Sequence, residues 1–441
     1  MIDGHFGAAG PLSSVHALRC LEGRPCGMRV LLISPSLPPA AEGEAEHGQQ
    51  IARQLTARGH SVTLVTHDRH AQPATAASGP VQGMAGWRWR DLPRLLGYLR
   101  HSRAEGVVLI YTARLFDDHP MITFLPTWLR WCLPAARLVV LVEIHRAPYI
   151  RGRTVRALRK LAAILAGPKG LDYGYGSLLR DAHAVAALGP TILQHLRPHA
   201  PGLGDRGFVI PPPPLVSRPA SFDDAARTRA RQRLRTPDGA CLLAYFGFVY
   251  PGKGVETLLA ALAGLVSAGR PVRLLMAGGG RTSARPGEPR LTPYEATLAA
   301  GAAASGLADH VVWAEGYAAG AESVAEDLLA ADIAVLPFDD GAELRRSSIA
   351  VVAGLGLPLI TTTPNCHEPA FVNGHNVLLC PPADARALCE AVGRVMDDAG
   401  LRVRLRVGSL DLAQQWFSWD TALAGIESHL SDSASAERVA V

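Results

Sequence analysis

Cysteine is scarce and unpatterned. There are seven in 441 residues, at 20, 26, 132, 241, 366, 380 and 389. The number is odd and no pair has C-x-x-C spacing, which excludes a disulfide framework or a zinc site and points to reduced thiols in a cytoplasm. No apolar run reaches the roughly 20 residues of a membrane-spanning helix. The G-x-x-x-x-G-K-[ST] phosphate loop is absent. So is a G-x-G-x-x-G after the first apolar strand, which removes a nicotinamide-dependent oxidoreductase; in "AGGGRTS" Ser283 stands at the third-glycine position. No D-x-D carboxylate pair lies at a strand end, so no metal is expected. "FDD" (338–340) comes nearest and equally suits the start of a turn. A net charge of +5 with a pI near 8.9 is too weak for nucleic acid and suits an anionic small substrate or an acidic membrane surface. The first residues lack the basic start and long apolar stretch of a signal peptide. Residues 1–27 are therefore expected to be a poorly ordered extension.

What is present is a repeated alternation of apolar runs and helical spacing. "RVLLIS" (29–34) reads as a buried strand, "EHGQQIARQLTARG" as a helix ended by Gly59, and "SVTLVTH" as the next strand. Strand, helix, strand is a parallel βαβ unit. "GVVLIYTA" (106–113) and "RLVVLVEIH" (137–145) continue it. The second half has its own set: "CLLAYFGFV" (241–249), "VRLLMAGGG" (272–280), "HVVWAEGY" (310–317), "DIAVLPF" (332–338) and "GLPLITTT" (356–363). With 48% hydrophobic residues over 441 positions, two α/β cores are expected. "GFVIPPPPLVSRP" (207–219) reads as the linker, because a run of prolines continues neither a helix nor an inner strand. After Pro382 the chain turns helical. The expected domains are 28–212 and 213–400, with helices over 401–430 returning to the first domain and a frayed tail over 431–441.

"FGFVYPGKGVETLL" (246–259) places Lys253 between Gly252 and Gly254, in a loop joining a strand to a helix. A helix start offers unpaired N–H groups and the positive end of a dipole, so this is an anion site or a tight turn with a solvated lysine.

Taken in order, "RGHSVTLVTHD", "VEIH", "VIPPPP", "FGFVYPGKGVETLLAAL", "LLMAGGG", "HVVWAEGY", "LAAADIAVLPFDDG", "LGLPLITTT" and "WFSWDTAL" resemble the retaining glycosyltransferases of GT-B fold, glycosyltransferase family 4, over roughly 28–430. The resemblance implies two Rossmann-like, doubly wound domains facing across a cleft. It implies a nucleoside-diphosphate sugar as substrate, bound mainly by the second domain, an acceptor on the first, and no cofactor. Lys253, with Gly247 and Gly252 beside it, would bind the donor diphosphate. Glu343 falls on the first glutamate of the family's Glu-x7-Glu box and would contact the donor sugar; the turn after it, through Leu344, would offer N–H groups. The second glutamate's position is Val351, which cannot hold ribose hydroxyls. Phe248 stands where many members have an arginine, and Arg345 and Arg346 are candidates to replace that charge. His145, ending "VEIH", would lie near the transferred sugar; Glu143 shares its strand face by period-two alternation. Gly43 aligns with a glycine-rich segment that approaches the phosphates, with Glu42 where a second glycine is usual and His47 close by. The catalytic candidates are thus His145, Glu343 and Lys253.

A non-catalytic sugar-nucleotide-binding or scaffold protein of the same fold is the competing reading, favoured by Val351 and Phe248. The basic, leucine-bearing stretches 87–103 and 151–165 suit either peripheral contact with an anionic membrane face or ordinary surface helices.

Overall fold

A computed structural model describes residues 27–38, 43–71, 79–144, 174–200, 202–278, 283–285, 288–289, 291–314 and 321–431. The first sheet holds β1 (Arg29–Ile33), β2 (Ser61–His67), β3 (Val81–Met84), β4 (Gly106–Tyr111), β5 (Arg137–Val142), β6 (Ala184–Ala187) and β7 (Gly207–Val209). Its order is β3-β2-β1-β4-β5-β6-β7, with every pair parallel. The second sheet holds β8 (Cys241–Phe246) and β9 (Val272–Ala277), followed after a small hairpin of β10 (Ser283–Arg285) and β11 (Glu288–Pro289) by β12 (Val311–Trp313), β13 (Ile333–Leu336), β14 (Leu359–Thr362) and β15 (Leu378–Cys380). Its order, β12-β9-β8-β13-β14-β15, is that of the first six strands of the first sheet. Strands such as "GVVLIY" and "IAVL" are buried at every position, as expected of parallel sheets covered by helices on both faces. Two Rossmann-like domains therefore stand in series.

Besides the small hairpin, four strands of the two sheets lie outside the sequence reading: Val81–Met84, Ala184–Ala187, Gly207–Val209 and Leu378–Cys380. Each is only three or four residues long, too short to show a period. Gly207–Val209 corrects the linker, which begins later: those residues pair with β6 as an edge strand, and the Ile210 N–H still donates to the Ala187 carbonyl at 2.8 Å before the prolines begin. The crossing between domains lies between Ile210, buried in the first core, and Val216, buried in the second. The expected extension and tail lie outside the described residues except for Gly27 and Ser431.

The return to the first domain also begins later than residue 401. The helix Ala399–Trp416 buries Leu401, Leu405 and Leu412 in the second core. The helix Trp419–Leu430 makes the return, burying Ala422, Leu423, Ile426 and Leu430 in the first. Polar contacts fix its seat: Arg58 pairs with Asp420 and Glu427, His60 with Glu427, and Phe208 stacks on His429 at 4.4 Å.

In the basic stretch 87–103, Leu95 and Leu99 are fully buried in the helix Leu92–Ser102. That helix turns its apolar face to the core, leaving Trp89, Arg88 and Arg90 exposed. The stretch 151–165 lies outside the described residues. Among the described residues no helix is long and apolar enough to cross a membrane.

Leu430 covers Gly106 of β4 and is 3% exposed. Leu430→Ala should cost about 2–5 kcal/mol by leaving a cavity. Urea denaturation should show the loss in the first domain, although the residue is the last of the final helix.

Candidate active site

In each sheet the strand order reverses between its first and fourth strands, β1 and β4 or β8 and β13. Crevices for ligands open at the carboxyl ends of such strands. A cavity of about 500 Å³ lies where these ends face each other. Glu44, His47, Arg114 and Glu143 line it from the first domain; Phe248, Tyr250, Lys253, Arg345, Arg346 and Ser348 line it from the second.

The second domain's wall is cationic. Lys253 follows β8, and the two arginines follow the adjacent, parallel β13. The Lys253 loop is fixed to the end of β13 by close backbone approach. Gly254 has φ +70°, and a Cβ there would stand 1.7 Å from the Pro337 carbonyl oxygen, so no other residue fits. The Asp339 N–H donates to the Gly252 carbonyl at 3.2 Å. Lys253 Nζ lies 4.8 Å from the Tyr250 ring centroid and 5.2 Å from that of Phe338; the Arg346 guanidinium lies 4.6 Å from the Phe338 centroid. Both cations thus face one aromatic ring. Burial, then the charges of Arg346 and Arg345, push the Lys253 amine down to about 7.

Arg346 is 8% exposed and pairs with Asp340 at 2.5 Å; its Nε lies 3.7 Å from Glu343, which also pairs with Arg345. Arg346 also precedes the helix Ser347–Gly354, whose first turn no side chain caps. Two arginines, a lysine and an uncapped helix start converge on the cavity, an arrangement suited to a polyanion such as a diphosphate.

Lys253, Arg345 and Arg346 are therefore brought together, with Gly247 and Gly252 in the Lys253 loop. Glu343 stands behind the arginines as their shared counter-ion. Leu344 departs from expectation. Its side chain is fully buried, and its N–H is directed at the Glu368 carboxylate at 3.4 Å, away from any ligand role. Val351 is fully buried in the second core, so ribose is not read from that position. Gly43 begins the helix Gly43–Ala57 in the first domain. His145 lies outside the described residues.

Two features were not readable as pairs in the sequence. His47 Nδ1 meets Glu143 Oε1 at 2.5 Å across 96 residues, with both side chains about 95% buried. Glu368 is 4% exposed, and its Oε2 has no hydrogen-bond partner among the described residues. Burial, reinforced by Glu343, pushes its carboxyl up to about 7 against the Leu344 N–H and Arg345.

These shifts have opposite consequences. For Lys253 the folded state binds fewer protons than the unfolded chain between about 7 and the usual 10.5, so stability rises with pH across that window. Lys253→Met should melt higher than wild type at pH 7, with the gap closing above pH 10. For Glu368 the folded state binds more protons between the usual 4.5 and about 7, so stability falls as pH rises through that range. Glu368→Gln should melt higher than wild type at pH 8 and close to it at pH 4.5. Calorimetric melts across pH check both.

Residues 240–398 match the family model described as glycosyl transferases group 1. A D-inositol 3-phosphate glycosyltransferase of Stackebrandtia nassauensis is 29% identical over 395 residues, covering 84% of this chain and 82% of that one. One of Acidothermus cellulolyticus is 28% identical over 243 residues, covering 54% of this chain and half the length of that relative. Among solved structures, a glycosyltransferase from Rickettsia africae aligns over 93% of this chain and 100% of its own with a TM-score of 0.67 at 15% identity. Anabaena HepE in complex with UDP aligns over 91% and 99% with a TM-score of 0.63 at 16% identity. Residues 240–398 thus carry the match to the group 1 glycosyl transferases, and the two domains together share the fold of these solved glycosyltransferases.

Proposed function

We propose that the protein moves a sugar from a nucleoside-diphosphate sugar to an acceptor hydroxyl, with retention of configuration, as a member of family 4. The observation that carries this reading is the convergence of Lys253, Arg345, Arg346 and an uncapped helix start on one wall of the cleft. When the bond from the anomeric carbon to the diphosphate breaks, negative charge grows on the leaving phosphate. Cations already in place at that point stabilise it without rearranging. Together they supply the charge that a divalent metal would otherwise bring, so the reaction proceeds without one. Glu343 orients both arginines and stands beside the place of the sugar. A scaffold role is disfavoured, because a lysine held near pH 7 among arginines is poorly suited to mere structure.

The relatives' names suggest where to begin. UDP is bound by HepE, and D-inositol 3-phosphate stands in the names of the relatives from Stackebrandtia nassauensis and Acidothermus cellulolyticus. The test is hydrolysis and transfer with UDP-glucose, UDP-N-acetylglucosamine, GDP-mannose and ADP-glucose, with D-inositol 3-phosphate as first acceptor. Activity with one donor, unchanged by chelator, is expected; no turnover of any donor would leave the scaffold reading. Lys253→Ala should lower turnover about a hundredfold or more. Diphosphate binding should restore the charge of Lys253, so UDP binding should take up a proton. Its affinity should fall by up to about tenfold per pH unit above 7. The Lys253→Met variant should lose that slope.

A further inference from the structure

We infer that a second, smaller cavity of the second domain binds a compact, soluble phosphate ester through Arg218, Arg402 and Arg406. The assignment does not rest on the glycosyl-transfer reading, because this cavity shares no lining residue with the cleft.

The cavity holds about 280 Å³. Asp332 and Pro358 line it, and each directly precedes a strand, β13 or β14. It therefore opens at the amino ends of the parallel strands, whereas the cleft lies at their carboxyl ends. Its floor is apolar: Leu329, Leu355 and Leu357 are 7%, 0% and 5% exposed. Its rim is cationic and is assembled from distant parts of the chain. Arg218 follows the first crossing between the domains. Arg402 and Arg406 stand one turn apart on the helix Ala399–Trp416, which leads to the second crossing.

The carboxylates of the cavity are committed elsewhere. Asp332 holds Arg227 at 2.5 Å, Arg231 at 3.1 Å and the Leu242 N–H at 2.8 Å. Asp223 caps the helix Asp224–Arg233 by accepting the Ala226 N–H at 2.7 Å. Asp224 lies in the first turn of that helix, where its charge meets the positive end of the dipole. Arg402 donates to the carbonyls of Val395 and Met396 at 2.9 and 3.0 Å, and among the described residues it has no carboxylate partner. Arg218 and Arg406 have neither a hydrogen-bond nor an ion-pair partner among the described residues.

Three guanidinium groups around one concave site with an apolar floor focus positive potential there more than they would on a convex surface. Their planar forks match the oxygens of a phosphate group. The floor and the half-buried Phe222 are left for the organic body of the ester. The volume falls just below the range of about 300–1,000 Å³ usual for small-molecule pockets, which selects a compact ester over a whole nucleotide sugar. A phosphate held by Arg218 and Arg406 together ties the segment after the first crossing to the helix before the second.

Calorimetric titration with glycerol 3-phosphate and ribose 5-phosphate tests the site, with glycerol and ribose as uncharged controls. The proteins are wild type, Arg218→Ala, Arg406→Ala, the double variant and Lys253→Met. Both arginines are exposed, so their variants should melt as wild type does without ligand. Wild type should bind at least one ester and neither control, and Lys253→Met should bind that ester within about twofold of wild type. Each single arginine variant should raise its Kd about tenfold or more, and the double variant should lose binding. The ester should raise the melting temperature of wild type and leave that of the double variant unchanged. Failure of wild type to bind either ester, equal affinity in the arginine variants, or loss of binding in Lys253→Met, which would put the ester in the cleft, would each overturn the assignment. So would arginine-dependent binding to phosphatidylglycerol vesicles with none to the soluble esters, which would make the rim a membrane contact.

Discussion

The site depends on holding three like charges in one partly desolvated corner. Lys253, Arg345 and Arg346 share the cleft wall with Asp340 and Glu343 as direct counter-ions of the arginines. Lys253 gives up part of its charge, with its amine pushed down to about 7. The strain is distributed by the scaffold beneath. Thr361 and Thr362 of β14 donate hydroxyl hydrogen bonds to the carbonyls of Leu336 and Phe338 at 2.7 Å. That fixes the end of β13 and with it the Phe338 ring, which faces both Lys253 and Arg346. Gly254, pressed against Pro337, then fixes the Lys253 loop to the same point. A cluster of cations so rigidly placed is pre-organised for charge arriving in a ligand, since little reorganisation remains when it binds.

The fold was largely legible, because long buried strands are visible as continuous apolar runs and the alternation with helices dictates parallel sheets. What escaped was short or non-local. β7 is three residues next to four prolines, and its strand character comes from pairing with β6, which no local pattern records. The helix Ala399–Trp416 has apolar residues compatible with packing on either domain, so the point of return at Trp419 is a property of the tertiary structure. The site divides in the same way. Lys253 announces itself through the glycines around it and a loop between strand and helix. Arg345 and Arg346 follow from their place after a neighbouring strand. Leu344 did not fit its expected role because its N–H is claimed by Glu368, 24 residues on, and His47 and Glu143 meet only because β1 and β5 flank β4 in the folded sheet.

The departures from the family pattern fall on the same few turns. With Val351 facing the core, the helix Ser347–Gly354 presents its first turn and the arginines before it to the cavity, while its later residues serve packing. Glu368 lies under the turn that carries Glu343. One of its oxygens faces the Leu344 N–H and the other has no hydrogen-bond partner among the described residues. A carboxyl that changes charge near pH 7 at this position tunes the potential behind Glu343. Burial and the neighbouring arginines likewise bring the Lys253 amine down to about 7. The two groups move in the same direction as pH rises, since each loses a proton, and both make the wall less positive. The charge of this wall near pH 7 is therefore set by the protonation of two residues, Lys253 and Glu368.

The relative position of the domains completes the site. The chain crosses between them twice, at residues 211–215 and again before Trp419. Trp419 Nε1 donates to the Pro214 carbonyl at 3.3 Å, so the two crossings are tied to each other. On the cleft side, a Cβ at Gly189 of the first domain would lie 3.6 Å from the Arg345 nitrogen, so the backbones of the two domains come close at the cationic turn. Trp419 also lies beside His47, their ring centroids 6.4 Å apart. The residue that ties the crossings together thus packs near the imidazole of one wall, while Gly189 brings the first domain against the arginines of the other. A shift of one domain on the other must alter both contacts at once, which is how a cleft assembled from two separate cores can keep its two walls in register.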